Sequence, residues 1–482
     1  MTGFATTDVP RFTVEVYQNP YLPEGGSEVD AIVTVTATGS NSASGAAGTV
    51  GAAGAVTGAV DGSPTSQLRL PFVPAQGQAA GRAPREHAPG APDAAVVIMV
   101  DCSGSMDYPP TKMENAREAT AVAVEALRDG VAFAVVAGTH QAKEVYPGGG
   151  RLAVAGASTR AQARAALRAL EPGGGTAIGT WLRLARRLLA AADVSIRHGI
   201  LLTDGRNEHE EPDELRAVLA ECAGEFTCDA RGVGTDWVVQ EVTGIASALL
   251  GSADIVADPA GLAEDFRRMM ETAMGKEVAD VALRVWTPQR AEVCFVKQVA
   301  PSVVDLTDRR TGAGPRTGDY PTGSWGEESR DYHVCVRVPV AAVGEEMLAA
   351  RVSLVLPGPG TPRVLAQGLV RAVWTDDPAA STAINPQVAH YTGQAELARA
   401  IQAGLELRKA GDLDGATAKL GRAVQLASRS GNEDTARLLA KVVDVVDAAS
   451  GTVRLKPKVS EEAEMTLETR STRTVRVKKR GD

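Results

Sequence analysis

The sequence has few aromatic residues, no excess of basic residues and no long apolar run. Aromatic residues make up only 4% of the 482 residues, and Lys plus Arg (50) are outnumbered by Asp plus Glu (59), which leaves a net charge of −9. Nucleic-acid-binding proteins usually carry a basic surface, so this balance argues against general nucleic-acid binding. No apolar run approaches the roughly 20 residues that a membrane span requires.

Residues 1–13 lack the positively charged and then apolar segments of a secretory signal peptide. We therefore expect a cytoplasmic protein without a membrane span. Export by a route that needs no signal peptide stays an alternative.

Cysteine is also scarce, and its spacing matches neither a disulfide framework nor a zinc site. The five cysteines are odd in number, and the chain has no Cys-x-x-Cys pair and no histidine cluster. We expect reduced, buried thiols, as in a cytosolic protein. The cysteines are Cys102, Cys222, Cys228, Cys294 and Cys335.

A chain of this length is expected to form two to four domains. Strand-like and helix-like segments alternate from residue 94 to about 275, which predicts a doubly wound, mostly parallel α/β sheet. One of its predicted helices is 178–191, and its predicted strands are 94–100, 130–138, 198–203, 226–233 and 253–256. Several β-rich segments between 280 and 375 predict an antiparallel β-sandwich. The strands at 11–38 have no core of their own, so we expect them to complete this sandwich, with the α/β domain inserted between its two parts.

The predicted divisions follow from these patterns. A Gly-, Ala- and Ser-rich stretch predicts a flexible loop, and a polar end predicts a flexible tail. Helical periodicity predicts a small helical module of three helices, the third over 433–448. The divisions are 9–80, sandwich strands with a flexible loop at 39–64; 92–276, the α/β domain; 278–376, the rest of the sandwich; 386–449, the helical module; and 450–482, the tail.

Hard oxygen ligands cluster at the ends of predicted strands. Segment 101–105 (Asp-Cys-Ser-Gly-Ser) follows a buried apolar strand, and segment 203–205 (Thr-Asp-Gly) ends another. In open α/β sheets this carboxyl edge is where ligands bind. Carboxylates and hydroxyls are ligands for Mg²⁺, Mn²⁺ or Ca²⁺. Five side chains from three loops are predicted to converge there: Asp101, Ser103, Ser105, Thr176 and Asp204.

In this order, Asp-x-Ser-x-Ser at 101–105, Gly-Gly-Thr at 174–176 and Thr-Asp-Gly at 203–205 resemble the von Willebrand factor type A domain with its metal-ion-dependent adhesion site. The resemblance covers about residues 94–275. It implies a protein-interaction module that binds Mg²⁺, or Mn²⁺ or Ca²⁺, and docks a partner through an Asp or Glu carboxylate. It also implies no catalytic activity.

The resemblance further implies a role for each ligand. Ser103 and Ser105 would bind the cation directly, and Thr176 would bind it directly or through water. The carboxylates of Asp101 and Asp204 would often act through water.

Catalytic alternatives fit the motif poorly. A phosphotransferase of the haloacid dehalogenase type needs a second acid at position 103, where this chain has Ser. A serine hydrolase needs Gly-x-Ser-x-Gly and a triad. An intact fold with a vestigial metal position stays an alternative. The acidic residues between 208 and 214 are interpreted as a solvated loop and the first turn of a helix.

The tail carries threonines between charged residues, which suggests phosphorylation and recognition by a forkhead-associated domain. Rich in Ala, Gly and Arg, the chain resembles actinobacterial cytoplasmic type A proteins, which often accompany Ser/Thr kinases. The alternatives are a substrate-recruiting subunit of an AAA+ ATPase, as in chelatases, and a stress- or tellurite-resistance-like complex. The candidate tail residues are Thr466, Thr469, Thr472 and Thr474.

Overall fold

The computed structural model describes residues 10–39, 94–256, 258–358 and 361–476. Apart from Gly39, the predicted loop at 39–64 lies outside the described residues, as does the rest of the first predicted division up to residue 80. The first strands are β1 (Arg11–Gln18), β2 (Tyr21–Leu22) and β3 (Glu28–Thr38).

The α/β unit occupies the next part of the chain. Its strands are β4 (Ala94–Asp101), β5 (Ala132–Gly138), β6 (Ala142–Tyr146), β7 (Ala153–Val154), β8 (Ile196–Thr203), β9 (Thr227–Val233) and β10 (Ala253–Val256). Its helices are α1 (Thr111–Glu125), α2 (Ala157–Leu167), α3 (Ile178–Ala191), α4 (Pro212–Cys222), α5 (Val239–Ala248) and α6 (Leu262–Met274).

These strands form a seven-stranded sheet in the order β10-β9-β8-β4-β5-β6, with β7 paired to β5. The pairs from β10 to β5 are parallel, as predicted. The strands β6 and β7 are antiparallel to β5 and were not predicted. All eight residues of β4 are buried because helices cover both faces of the sheet. Val96 and Ile98 face one hydrophobic core, and Val97 and Met99 face the other.

The chain then becomes β-rich. The strands are β11 (Lys276–Trp286), β12 (Glu292–Ala300), β13 (Val304–Asp305), β14 (Thr311–Gly314), β15 (Thr317–Gly326), β16 (Glu328–Arg337), β17 (Glu346–Leu356) and β18 (Arg363–Trp374).

Strands from both ends of the sequence meet in two sheets. One has the order β1-β3-β16-β12-β13, and the other has the order β14-β15-β11-β17-β18-β2. Within the first sheet, Thr34 of β3 pairs with Asp331 of β16, 297 positions further along the chain. One hydrophobic core joins the two sheets, with Val35 contributed by the first and Leu283 by the second. The N-terminal strands therefore share a core with strands that follow the α/β unit.

The remaining elements are mostly helical. Side chains of Asn385, Asp412, Asn432 and Ser460 each accept a hydrogen bond from a backbone N–H in the first turn of the helix that follows. The elements are α7 (Pro378–Thr382), α8 (Pro386–Lys409), α9 (Leu413–Ser430), α10 (Glu433–Val442), β19 (Val443–Asp447), β20 (Thr452–Leu455) and α11 (Glu461–Arg470).

Two expectations about this region were wrong. The third predicted helix, 433–448, ends at Val442, and the β-branched residues that follow form a hairpin instead. The predicted flexible tail, 450–482, is structured as far as residue 476. Met465 packs into a core of the α/β unit, and Leu467 is buried among the C-terminal helices. A few well-placed apolar residues therefore outweigh the overall polarity of the segment.

Ion pairs hold the end of the chain in place. The carboxylate of Asp254, at β10, accepts hydrogen bonds from Arg470 Nε (2.8 Å) and from a terminal nitrogen of Arg473 (2.5 Å). Asp331 of β16 accepts one from Arg476 at 2.8 Å. Thr466 and Thr469 are buried. A phosphothreonine-binding domain therefore cannot reach these two threonines in this arrangement, which corrects the interpretation of them as exposed recognition sites.

Candidate metal centre

The five predicted ligands come from three loops at one edge of the α/β sheet. Asp101 is the last residue of β4, and Asp204 directly follows β8, the parallel neighbour of β4. Thr176 lies just before α3. Because both strands are parallel and end at the same edge, their terminal carboxylates lie close together.

Hydrogen bonds connect the ligands to one another. The hydroxyl oxygens of Ser103 and Ser105 are 2.9 Å apart, and the Ser105 hydroxyl donates to Asp204 Oδ1 at 2.7 Å. A methyl group on Gly205 would lie 3.1 Å from Ser105 Oγ, 3.4 Å from Thr176 Oγ1 and 3.8 Å from Ser103 Oγ. The three hydroxyls therefore surround a single point beside Gly205.

The first two loops are bonded directly through their backbones. Gly104 N–H donates to Gly174 O at 2.9 Å, and Gly173 N–H donates to Cys102 O at 2.8 Å. These bonds fix the position of the Gly-Gly-Thr loop relative to the serines.

Asp101 is fully buried and held by two donors. Its carboxylate accepts hydrogen bonds from Ser103 N–H at 2.8 Å and from Thr203 Oγ1 at 2.6 Å. Burial raises the pKa of Asp101 to about 6, with a smaller contribution from the negative charge of Asp204, while the two hydrogen bonds act in the opposite direction. A nearby cation would favour the ionised form of this carboxyl.

One cation at this centre was not predicted from the sequence. Lys112, in the first turn of α1, donates from Nζ to Asp204 Oδ2 at 2.8 Å and to Asp236 Oδ2 at 3.1 Å. Its side chain is only 9% exposed. A positive charge in the first turn opposes the helix dipole, and this unfavourable position was the signal available in the sequence.

The segment after Asp204 was also interpreted too simply as a solvated loop. Asn207 Oδ1 accepts from Ile178 N–H at 2.8 Å, and Glu210 Oε2 accepts from Gly179 N–H at 2.8 Å, so both bind the start of α3. His209 Nδ1 accepts from Thr176 N–H at 3.3 Å. This segment therefore fixes the position of the Thr176 loop. The neighbouring acids are exposed, as expected: Glu208, Glu211, Asp213 and Glu214.

The donor set fits a hard divalent cation. It consists of three hydroxyls and two carboxylates, which are ligands that Mg²⁺, Mn²⁺ and Ca²⁺ accept. Among residues 10–39, 94–256, 258–358 and 361–476, no group of three or more His, Cys, Asp or Glu side chains is placed to hold a metal. The candidate site therefore combines its two carboxylates with hydroxyl groups. Ser105 is exposed while Asp101, Ser103, Thr176 and Asp204 are buried, so this centre opens to solvent at Ser105.

Comparisons with known proteins identify the family of this chain. Residues 94–255 match the von Willebrand factor type A domain, and residues 425–471 match the von Willebrand factor type A C-terminal domain. A solved structure, "von Willebrand factor type A from Catenulispora acidiphila", is 46% identical with a TM-score of 0.85, and the match covers 98% of this chain and 99% of that one. The chain belongs to the von Willebrand factor type A family, which confirms the family resemblance.

Two further relatives are more distant. The ArnB paralog VWA2 from Sulfolobus acidocaldarius is 13% identical with a TM-score of 0.57, covering 96% of this chain and 98% of that one, and it supports the fold alone. An uncharacterized protein of Synechocystis, sll0103, is 28% identical over 232 residues, or 47% of this chain. The chain spans about half the length (53%) of that relative. No helix among the described residues is long and apolar enough to cross a membrane.

Proposed function

We propose that this protein is a metal-dependent protein-interaction module. Asp101, Ser103, Ser105, Thr176 and Asp204 would hold a divalent cation, with Mg²⁺ as the first candidate and Mn²⁺ or Ca²⁺ as alternatives. The observation that carries the proposal is the convergence of three hydroxyls on one point next to two buried carboxylates. The partner would supply an Asp or Glu carboxylate.

The chain's own residues define how docking would work. Asp204 orients the Ser105 hydroxyl, and Asp101 anchors the backbone of Ser103. When bound, the cation would supply a Lewis-acidic position that accepts an oxygen ligand from outside the chain. Mg²⁺ keeps several water ligands, and the exposed side of the centre at Ser105 is where a carboxylate would replace one of them.

The proposed role is that of a scaffold or adaptor, without catalysis, in a cytoplasmic bacterial complex. We propose further that the type A domain is inserted into a β-sandwich. Strand β3 precedes the α/β unit in the sequence and β16 follows it, and the pairing of these two strands supports that arrangement. No activated nucleophile stands out at the centre, because the Ser103 and Ser105 hydroxyls contact each other and a carboxylate rather than a histidine base.

Titration calorimetry with Mg²⁺ tests the cation site directly. Wild-type protein is expected to bind one Mg²⁺, and Asp101→Ala and Ser103→Ala are expected to lose that binding. Asp107→Ala is the matched control, because Asp107 is exposed and lies outside the ligand set.

Partner binding is tested by affinity capture with the same variants in Mg²⁺ and in EDTA. The proposal expects a set of partners that is present with wild type and Asp107→Ala in Mg²⁺ and absent under the other conditions. Identical partners in every sample would show that docking does not depend on the metal.

A further inference from the structure

Lys112 places a permanent positive charge within the proposed cation site. Its Nζ lies 2.8 Å from Asp204 Oδ2, 3.1 Å from Asp236 Oδ2 and 3.5 Å from the Ser105 carbonyl oxygen. Lysine is rarely buried unless its charge is paired. The helix dipole does not favour a cation in the first turn of α1, so the carboxylates hold this side chain in place.

The two carboxylates around Lys112 differ in their surroundings. Asp204 is fully buried, whereas the side chain of Asp236 is 68% exposed. Solvent screens the charge of Asp236, so it offsets the ammonium only weakly. Lys112 therefore acts mainly on the buried charge of the site.

The positive charge of Lys112 changes the net charge that a bound cation would meet. Asp101 and Asp204 contribute two negative charges and Lys112 contributes one positive charge, so a divalent cation would meet a net charge of −1 from these three groups. The loaded site would then carry +1. Because like charges repel strongly where solvent is excluded, Lys112 must weaken cation binding in the absence of another anion.

We propose that Lys112 is an internal counter-cation that keeps the site's affinity for a free divalent cation low and leaves the loaded site in need of an anionic partner. This inference rests on the proposed function, since it concerns the same site. In this proposal, the preference for a carboxylate from the partner depends on Lys112, which is not one of the five predicted ligands.

Two substitutions test the inference because they are expected to act in opposite directions. Lys112→Gln keeps a donor for Asp204 and removes the charge, so Mg²⁺ should bind about tenfold more tightly by titration calorimetry. Asp236→Asn removes a negative charge from the other side of Lys112, so Mg²⁺ should bind more weakly, by about twofold because of solvent screening. Lys112→Arg is the matched control that retains the charge and should stay close to wild type.

A purely structural role for Lys112 gives a different pattern. If the lysine served only to hold Asp204 in place, both Lys112→Gln and Asp236→Asn would weaken Mg²⁺ binding. A folded Lys112→Gln variant that binds Mg²⁺ no more tightly than wild type overturns the inference. If this variant fails to fold by circular dichroism, Lys112→Met decides, because it removes the same charge without adding a polar group: tighter Mg²⁺ binding than wild type supports the counter-cation, and binding no tighter than wild type overturns it.

The results also separate this inference from the proposed function. Mg²⁺ binding by wild type with no gain in Lys112→Gln overturns the counter-cation alone. Binding that is detectable only in Lys112→Gln supports it. Absence of Mg²⁺ binding in both proteins refutes the proposed function and this inference together.

Discussion

Substitution of Gly205 by Ala is expected to abolish metal binding while preserving the fold. The backbone of Gly205 does not have a positive φ, so alanine can adopt the same conformation. The added methyl carbon would lie 3.1 Å from Ser105 Oγ and 3.4 Å from Thr176 Oγ1. A divalent cation would sit among the same oxygens at about 2.0–2.6 Å, so the methyl group and the cation compete for one space.

The size of the effect follows from binding linkage. With Mg²⁺ at about 100 times its Kd, a ligand that binds only the folded protein stabilises it by about 2.7 kcal/mol. For a domain of about 150–250 residues this corresponds to an increase in Tm of roughly 5–11 °C. Wild type should show this increase and Gly205→Ala should show none. Without metal, the close contact with Ser105 is expected to cost about 1 kcal/mol.

Thermal unfolding followed by circular dichroism, in EDTA and in MgCl₂ at equal ionic strength, measures both quantities. Gly244→Ala is the matched control, because Gly244 lies within α5 with open space around its Cα. Alanine at a helix interior is favoured over glycine by about 1 kcal/mol, so the control should keep the full Mg²⁺ shift. A wild-type Mg²⁺ shift in Gly205→Ala would refute the placement of the cation beside this residue.

Other consequences concern the rest of the chain. Asp254→Asn removes the carboxylate that Arg470 and a second arginine bind, and because both arginines are partly exposed we expect a loss of about 1–2 kcal/mol in urea unfolding. Burial by itself would raise the pKa of Asp254, but the ion pairs lower it below its usual value. That stabilisation should be complete above about pH 4 and lost as the pH falls through the lowered pKa. The same dependence of the free energy of unfolding on acid pH in wild type and in Asp254→Asn would contradict this. Gly138→Ala would place a methyl group 2.3 Å from the buried ring of Trp181, so the free energy of unfolding should fall by about 1–3 kcal/mol or more; unchanged urea unfolding would be inconsistent with that packing. Iodoacetamide at neutral pH should modify only Cys294 in the native protein by mass spectrometry, since Cys294 is half-buried and burial raises the pKa of the other four thiols.

Elements with a local and continuous sequence signal are the ones predicted most accurately. The helix predicted at 178–191 and the strand predicted at 253–256 match the structure residue for residue. Both have clear apolar patterns bounded by polar or small residues. Other strands of the parallel sheet were displaced by only one or two residues at their ends.

Segments that are stabilised by neighbouring strands or helices, rather than by their local pattern, are predicted least accurately. The strand β15, 317–326, contains glycines and a proline, and its pairing with β11 overrides its poor propensity. The polar C-terminal segment was interpreted as a tail because its stabilising partners, such as Asp254, lie 216 positions earlier in the sequence. Pairs of residues so far apart in the sequence cannot be recognised from local composition.

The same division holds at the proposed metal centre. The sequence by itself determined which five side chains gather at one edge of the sheet, because strand-end motifs in a parallel sheet bring their ligands to a common edge. Only the tertiary structure decided that Lys112 enters this group, since it reaches Asp204 and Asp236 across 92 and 124 positions of chain. The physical reason is that a local motif specifies the orientation of its own residues, whereas the net charge around a buried point depends on every side chain that packing brings there.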